Sequence, residues 1–270
     1  MRHKASAILH HLISSALVAT FLLPLVWMMA ASLRPAGLPP PRELEWLHWP
    51  PTFANYQRVF EILPMARYFL NSILVTGLGV LLTLFTASWA GFGMSLLGYK
   101  ARLRLLILSI LLQILPFTAL WLSRFLLFAR LGLTNSHLAL ITPALMGSSP
   151  LFVLLFYWTF RRTDRAVFES AELDGAHLFQ VWRQIALPLA RPALMAVGML
   201  AFLLYWNDFI TPLVYLRSQS LYTLPIGLMQ LQEMTRTNWP LLMAASVITT
   251  VPAVVVFAAL QRSILWWEAD

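Results

Sequence analysis

Glu169-Ser170-Ala171-Glu172-Leu173-Asp174-Gly175-Ala176, followed by Ile185-Ala186-Leu187-Pro188, is a polar island between two long apolar runs. Thr163 or Asp164 offers a side-chain oxygen to start a helix just ahead of it. Gly175 offers a left-handed stop about three turns later. In that helix Val167, Ala171 and Asp174 share one face and Glu169 and Glu172 another. A second amphipathic stretch, carried by Leu178, Phe179, Val181, Trp182 and Ile185, is expected to end at Pro188, which has no N–H to donate. The island thus reads as two short helices set at an angle by a glycine hinge, a protrusion shaped to sit in another protein's groove. Periodicity alone fits an interfacial loop with solvated charges equally well.

Composition places this island in a membrane protein. Hydrophobic residues make up 59% of the 270 and charged residues 11%, against roughly 25% charged in soluble domains. So few charges do not cover a soluble surface of this size. Apolar runs of about 20 residues, the length that crosses a hydrocarbon core of roughly 30 Å, recur near residues 12–31, 72–97, 105–128, 138–160, 193–215 and 241–260. None alternates with the two-residue period of a barrel strand, so helices are expected. The fold class is therefore all-α and membrane-embedded, with six transmembrane helices in a single domain over residues 1–270 and a polar loop at 161–192. The first run is longer than a signal-peptide core, and it is read as an uncleaved first helix although Ala30-Ala31-Ser32 imitates a cleavage site.

Orientation follows from the basic residues near the helix ends. With the N-terminus in the cytoplasm, eleven of the 19 Lys and Arg residues fall inside and eight outside. The inner group is denser: Lys100, Arg102 and Arg104 crowd one short turn, whereas Arg34, Arg42, Arg58 and Arg67 are diluted by Glu43, Glu45 and Glu61. Both termini and the 161–192 loop are accordingly expected in the cytoplasm. The net charge of +8 is a topological signal and does not indicate nucleic acid. The first outer segment, with Pro39-Pro40-Pro41, Trp46, Trp49 and Pro50-Pro51, suits an extended cap at the membrane boundary. Asn71 or Ser72 is placed to cap the second helix.

The spacing Glu-x-Ala-x(3)-Gly-x(9)-Ile-x-Leu-Pro is filled without a gap by Glu169, Ala171, Gly175, Ile185, Leu187 and Pro188. It resembles the EAA loop of the membrane subunits of binding-protein-dependent ABC importers. The likeness covers most of the chain and points to the sugar-importing subgroup, similar to the smaller permease subunit of maltose-type importers. It is carried by Asn55-Tyr56, Asn71-Ser72, Gly132-Leu133, Asp174-Gly175-Ala176, Leu187-Pro188-Leu189, Trp206-Asn207-Asp208, Thr223-Leu224-Pro225-x-Gly227-Leu228, Pro252 and Gln261. The resemblance implies that Glu169, Ala171, Asp174 and Gly175 form the contact core with an ATPase, Glu169 pairing with its basic residues. Ile185, Leu187 and Pro188 complete that coupling loop.

The same resemblance implies a second homologous permease subunit, two ATPase subunits and an extracytoplasmic solute-binding protein. The last of these would meet the outer loops, with Tyr222, Leu224, Pro225 and Gly227 as candidate contacts. The expected location is a bacterial or archaeal cytoplasmic membrane. ATP and Mg belong to the partner ATPases, and no cofactor is expected on this chain. Two departures stand out. Asp164 replaces a proline common in relatives, and residues 263–270 replace a glycine-rich, lysine-containing tail that reaches the ATPase.

Other chemistries are poorly provided for. A P-loop needs Gly-x(4)-Gly-Lys-Ser/Thr, yet both lysines, Lys4 and Lys100, are followed by alanine. The six histidines are scattered and cysteine is absent, so neither a metal site nor a disulfide is expected. No cluster of nucleophile, base and metal ligand suggests an enzyme. Ionisable groups inside a span are costly and often functional. Asp208, beside Trp206 and Asn207, lines a polar path for a polyhydroxylated solute or makes a helix–helix hydrogen bond. Arg124 is expected to snorkel to the boundary. The rival reading, a stand-alone secondary transporter of a small polar solute, lacks both an internal repeat and several buried carboxylates.

Overall fold

The computed structural model describes residues 2–41, 46, 48–116, 120–235 and 237–265. Arg42, Glu43, Glu45 and Arg236 of the charge count, and residues 266–270 of the atypical tail, lie outside the described residues. Every regular element among the described residues is helical. The chain runs through α1 (Arg2–Ser32), α2 (Ala54–Ile62), α3 (Met65–Leu96), α4 (Tyr99–Ile114) and α5 (Trp121–Arg130). It continues through α6 (His137–Ile141), a 3-10 turn (Thr142–Met146), α7 (Pro150–Arg162), α8 (Arg165–Leu173) and α9 (Leu178–Val181). A π turn (Trp182–Ala186) leads to α10 (Leu187–Leu189), α11 (Arg191–Trp206), α12 (Ile210–Tyr215), α13 (Leu224–Met234) and α14 (Trp239–Leu265).

Among the described residues, four runs are long and apolar enough to cross a bilayer: His10–Ser32, Met65–Leu96, His137–Arg162 and Trp239–Gln261. A fifth appears if the bent pair Leu178–Leu189 and Arg191–Trp206 is taken as one span. The run expected at 105–128 falls on α4 and α5, of 16 and 10 residues, with residues 117–119 between them undescribed.

The chain divides into two compact units, Met1–Ala66 with Leu224–Pro252 and Arg67–Thr223 with Ala253–Asp270. In the first, the Asn55-Tyr56 pair ties down the end of α1. Asn55 Nδ2 donates to Ser32 O at 2.9 Å and Arg34 O at 2.7 Å, carbonyls that a helix end leaves without intrahelical partners. The Tyr56 hydroxyl lies 2.7 Å from Ser32 Oγ. Further on, Gly37 N–H donates to Asn238 Oδ1 at 2.9 Å and Trp239 N–H to Leu38 O at 3.0 Å. The proline-rich segment is thereby joined to the start of α14.

In the second unit, two expectations change. The second span begins at Met65, so Asn71 lies inside α3 and does not cap it. Its amide instead donates to Ser220 O at 3.0 Å and Tyr222 O at 2.9 Å, holding the segment after α12. Arg124 is half-buried, 5.2 Å from the Phe128 ring and 5.7 Å from the Tyr215 ring, and donates to Ala139 O at 3.4 Å. The fourth span is broken at Gly147 (φ 75°) and Ser148 (φ 59°), after which Ser149 Oγ accepts from Leu151 N–H and restarts the helix as α7.

The core of this unit is the crossing of α3 and α7 at Gly91. A Cβ there would lie 2.7 Å from Phe156 Cβ, 2.8 Å from Tyr157 N and 2.9 Å from Val153 O. Two of these are backbone atoms, so no rotamer change relieves the clash, whereas Gly93 has nothing within 4 Å. Gly91→Ala is expected to lower stability by about 1–3 kcal/mol, the usual range for overpacking, and Gly93→Ala to change it little. Thermal unfolding of both variants in one detergent checks this.

Candidate functional site

Arg162 ends α7, and Thr163 and Asp164 turn the chain into the 161–192 loop in extended conformation. Asp164 Oδ1 accepts from Ala166 N–H at 3.1 Å, so the aspartate starts α8 as expected. The helix closes with the full glycine cap. Gly175 (φ 86°) donates from its N–H to Glu172 O, and Ala176 N–H donates to Ala171 O, both at 3.0 Å. His177 then caps α9: its Nδ1 accepts from Gln180 N–H at 3.3 Å, while Gln180 Oε1 accepts from His177 N–H at 3.1 Å. That reciprocal box needs the neutral imidazole with its hydrogen on Nε2. Nothing in the sequence reading singled it out.

The second helix does not end at Pro188. Leu187 N–H bonds Trp182 O in a π turn, and the chain continues helically through Leu189 before bending by 84° into α11. Pro188 sits in the first turn of α10, where a missing N–H costs little. The stop falls at Ala190, and Pro192 opens the next helix in the same way.

What seats the loop is aromatic. Phe168 is buried on the inner face of α8, 5.5 Å edge-to-face from Phe92 of α3, which also meets Phe160 of α7 at 5.6 Å. Trp182 is buried beside α9, edge-to-face with Phe85 at 5.4 Å and Trp89 at 5.2 Å. Phe179 adds contacts to Trp89 and Trp182. The inner face is thus Phe168 and Ala171, and Val167, expected beside Ala171, is exposed. Sequence reasoning missed Phe168. Its offset of three from Ala171 was the available signal.

The loop residues consequently divide in two. Ala171 packs into the chain's own core, with Ile185 and Leu187 partly buried against it. Glu169, Glu172, Asp174, Gly175 and Pro188 are exposed. Leu173 is 89% exposed, an apolar side chain held out at the end of α8. Glu169 Oε1 pairs with Arg165 Nε at 2.7 Å across one helical turn, both side chains facing solvent. Such a pair contributes roughly 0.3–0.5 kcal/mol, so the carboxylate is readily exchanged to another cation.

Trp206, Asn207 and Asp208 lie at the other end of α11, whose 16 residues span about 24 Å. They break the helix. Asn207 Nδ2 donates back to Leu203 O at 3.0 Å, and Asp208 Oδ1 accepts from Thr211 N–H at 3.0 Å, starting α12. The bond of Asp208 thus stays within its own segment. Trp206 is buried between Phe69 and Phe202. Near this break the structure assembles hydroxyls that sequence reading did not connect: Ser148 Oγ is bonded to Thr83 Oγ1 and lies 2.8 Å from the Tyr205 hydroxyl. Gly79 makes room for that tyrosine, since a Cβ would stand 2.8 Å from its ring.

Between α12 and α13, Tyr222 is held by the Asn71 bond described above and stands 6.2 Å from Tyr68. In the other unit, Leu224 and Gly227 are buried in α13 and Pro225 is partly buried. Among the described residues no group of three or more His, Asp or Glu is placed to hold a metal ion.

Comparison with known proteins names the family. Residues 85–265 match the family described as "Binding-protein-dependent transport system inner membrane component". The chain belongs to this family. It is 32% identical over 270 residues to the arabinooligosaccharide transport system permease protein AraQ of Halalkalibacterium halodurans, covering 97% of this chain and 95% of the relative. It is 30% identical over 249 residues to the trehalose/maltose transport system permease protein MalG of Thermococcus litoralis, covering 90% and 88%. In structure it is similar to a bacterial ABC transporter involved in alginate import, with a TM-score of 0.77, 21% identity and 96% of each chain covered. The family member is a multi-pass inner-membrane permease component of an ABC importer, a transport subunit and not an enzyme.

Gly175 has open space around its Cβ position, so its substitution tests backbone conformation alone. Gly175→Ala is expected to destabilise the α8 cap by about 1–2 kcal/mol and Gly175→Asn by less. Amide exchange in Arg165–Leu173 is expected to be fastest in Gly175→Ala and intermediate in Gly175→Asn, and equal rates in both variants would refute the cap.

Proposed function

We propose that this permease imports a sugar or oligosaccharide, as one of two homologous membrane subunits, with the 161–192 loop docked on a cytoplasmic ATPase. The observation that carries the docking reading is the division of α8. Its inner face is locked by Phe168 and Ala171, while Glu169, Leu173 and Asp174 project from the same rigid turn. A loop serving only as a solvated connection needs neither the aromatic seat nor an exposed leucine at its tip. The sugar assignment is supported by relatives named for arabinooligosaccharide and trehalose/maltose transport.

In this reading two ATPase subunits bind ATP and Mg, and their closure moves the paired α8 helices. Because α8 and α9 are packed against Phe85, Trp89 and Phe92, a displacement of the loop is passed to α3 without slack. The helices then switch between inward- and outward-facing arrangements as bodies, the balance set by nucleotide and by a solute-loaded binding protein outside. Trp206, Asn207 and Asp208, with the Thr83, Ser148 and Tyr205 hydroxyls, supply polar groups along the solute path. Tyr222, Leu224, Pro225 and Gly227 belong to the side that meets the binding protein. Both termini lie in the cytoplasm, and six spans form one permease domain.

Glu169→Arg and Leu173→Asp are each expected to abolish co-purification of the ATPase and solute uptake while membrane insertion is retained. A pull-down of the tagged chain, with mass spectrometry of its companions, checks this. Undiminished ATP-driven uptake in both variants sinks the docking reading. Recovery of the wild-type chain alone, under conditions that hold other complexes together, counts against the docking reading.

A further inference from the structure

Between the entry and the exit of the 161–192 loop lies a groove of about 600 Å³ that the docking reading does not use. That volume falls within the roughly 300–1,000 Å³ usual for small-ligand clefts. One wall is apolar, made by Leu155 of α7 and Leu189, Ala193 and Ala196 at and beyond the 84° bend. The other end is polar, made by Thr159, Arg162 and Thr163. No carboxylate lines it. The nearest in sequence, Asp164, has its Oδ1 engaged by Ala166 N–H. Arg161 and Arg162 close the last turn of α7, and Arg191 opens α11.

We propose that this groove holds an anionic phospholipid of the cytoplasmic leaflet. Thr159 Oγ1 donates to Leu155 O at 2.9 Å, so the phosphate would meet Arg162 and the Thr163 hydroxyl, and an acyl chain would lie along Leu155, Leu189, Ala193 and Ala196. The observations favour this occupant for three reasons. The apolar wall stands on helices at the end of membrane-crossing segments, where lipid is the surrounding solvent. The cationic end stands at the boundary where headgroups lie, and basic clefts between spans on the cytoplasmic side suit anionic headgroups. Finally, a free inorganic anion would leave the apolar wall of the cleft uncovered. A lipid in this position touches both arms of the coupling loop, Arg162–Thr163 on the way in and Leu189–Pro192 on the way out. It would therefore brace the loop against α7 and α11. The inference rests on the cytoplasmic placement of that loop.

The test uses the full chain with its co-purifying subunits, reconstituted in nanodiscs of equal phosphatidylglycerol and phosphatidylethanolamine and re-extracted in mild detergent. Native mass spectrometry then counts the lipid retained. Phosphatidylglycerol is expected to be retained in preference. Arg162→Gln should lower its retention roughly fivefold, the effect of about 1 kcal/mol per cationic side chain near a charged headgroup. Ala196→Trp, filling the exposed part of the groove, should reduce retention of both lipids, and Arg183→Gln should change neither. Equal retention of phosphatidylglycerol by wild type and Arg162→Gln overturns the proposal. So does its displacement by millimolar inorganic phosphate, which would mark a free-anion site. Absence of retained lipid in an intact assembly also overturns it, with the groove then covered by another subunit. Loss of ATPase capture with lipid preference intact counts only against docking. Loss of lipid preference with ATPase capture intact counts only against the lipid site.

Discussion

The second unit depends on one aromatic seat. Phe168 and Trp182, from the two halves of the 161–192 loop, insert against Phe85, Trp89 and Phe92 on consecutive turns of α3. Aromatic pairs of this kind contribute roughly 0.5–1.5 kcal/mol beyond the area they bury, and here several share members. The loop is therefore joined to a helix distant from it in sequence, and that helix meets α7 at Gly91. Without the seat, α8 would be a short polar helix on the surface, below the length at which isolated helices are stable in water. With it, α8 is held rigidly against α3.

Helix breaks govern the remainder of this unit. The interruptions at Gly147–Ser149, Ala190 and Asn207–Phe209 free backbone groups within or beside apolar helices, and such groups are costly to leave unpaired. Each break carries local partners: Ser149 accepts from Leu151 N–H, and Asp208 from Thr211 N–H. Asparagines do the corresponding work for the loops. Asn71 holds Ser220 and Tyr222, and Asn135 Oδ1 accepts from Arg217 and Ser218 N–H. In the first unit Asn55 holds the end of α1. The amide suits this role because it offers donors and an acceptor from one short side chain.

The sequence and the structure disagree where local rules meet packing. Pro188 looked like a terminator because proline removes a backbone donor, but a π turn beneath it and its place in the first turn of α10 make that loss small. Asn71 looked like a cap because it opens the apolar run, but α3 begins at Met65. Val167 and Phe168 are neighbours and both apolar, so an amphipathic reading of a nine-residue helix had little to choose between them. The larger ring reaches Phe92. Residues 105–128 read as one span by hydropathy, whereas the described parts form two shorter helices.

From the sequence alone, the class of the molecule followed from its poverty of charge and its recurrent apolar runs. The family followed from the fixed offsets of Glu169, Ala171, Gly175, Ile185, Leu187 and Pro188. The cap at Asp164 and the left-handed turn at Gly175 were legible too, because caps and glycine turns are interactions between residues a few positions apart. The tertiary structure alone decided which loop residues face inward and which stand exposed. It also decided that Thr83, Ser148 and Tyr205 share one hydrogen-bonded cluster, and that Arg162 borders an apolar groove. These are contacts between residues tens of positions apart, fixed by how helices cross, and no local period in the chain encodes a crossing.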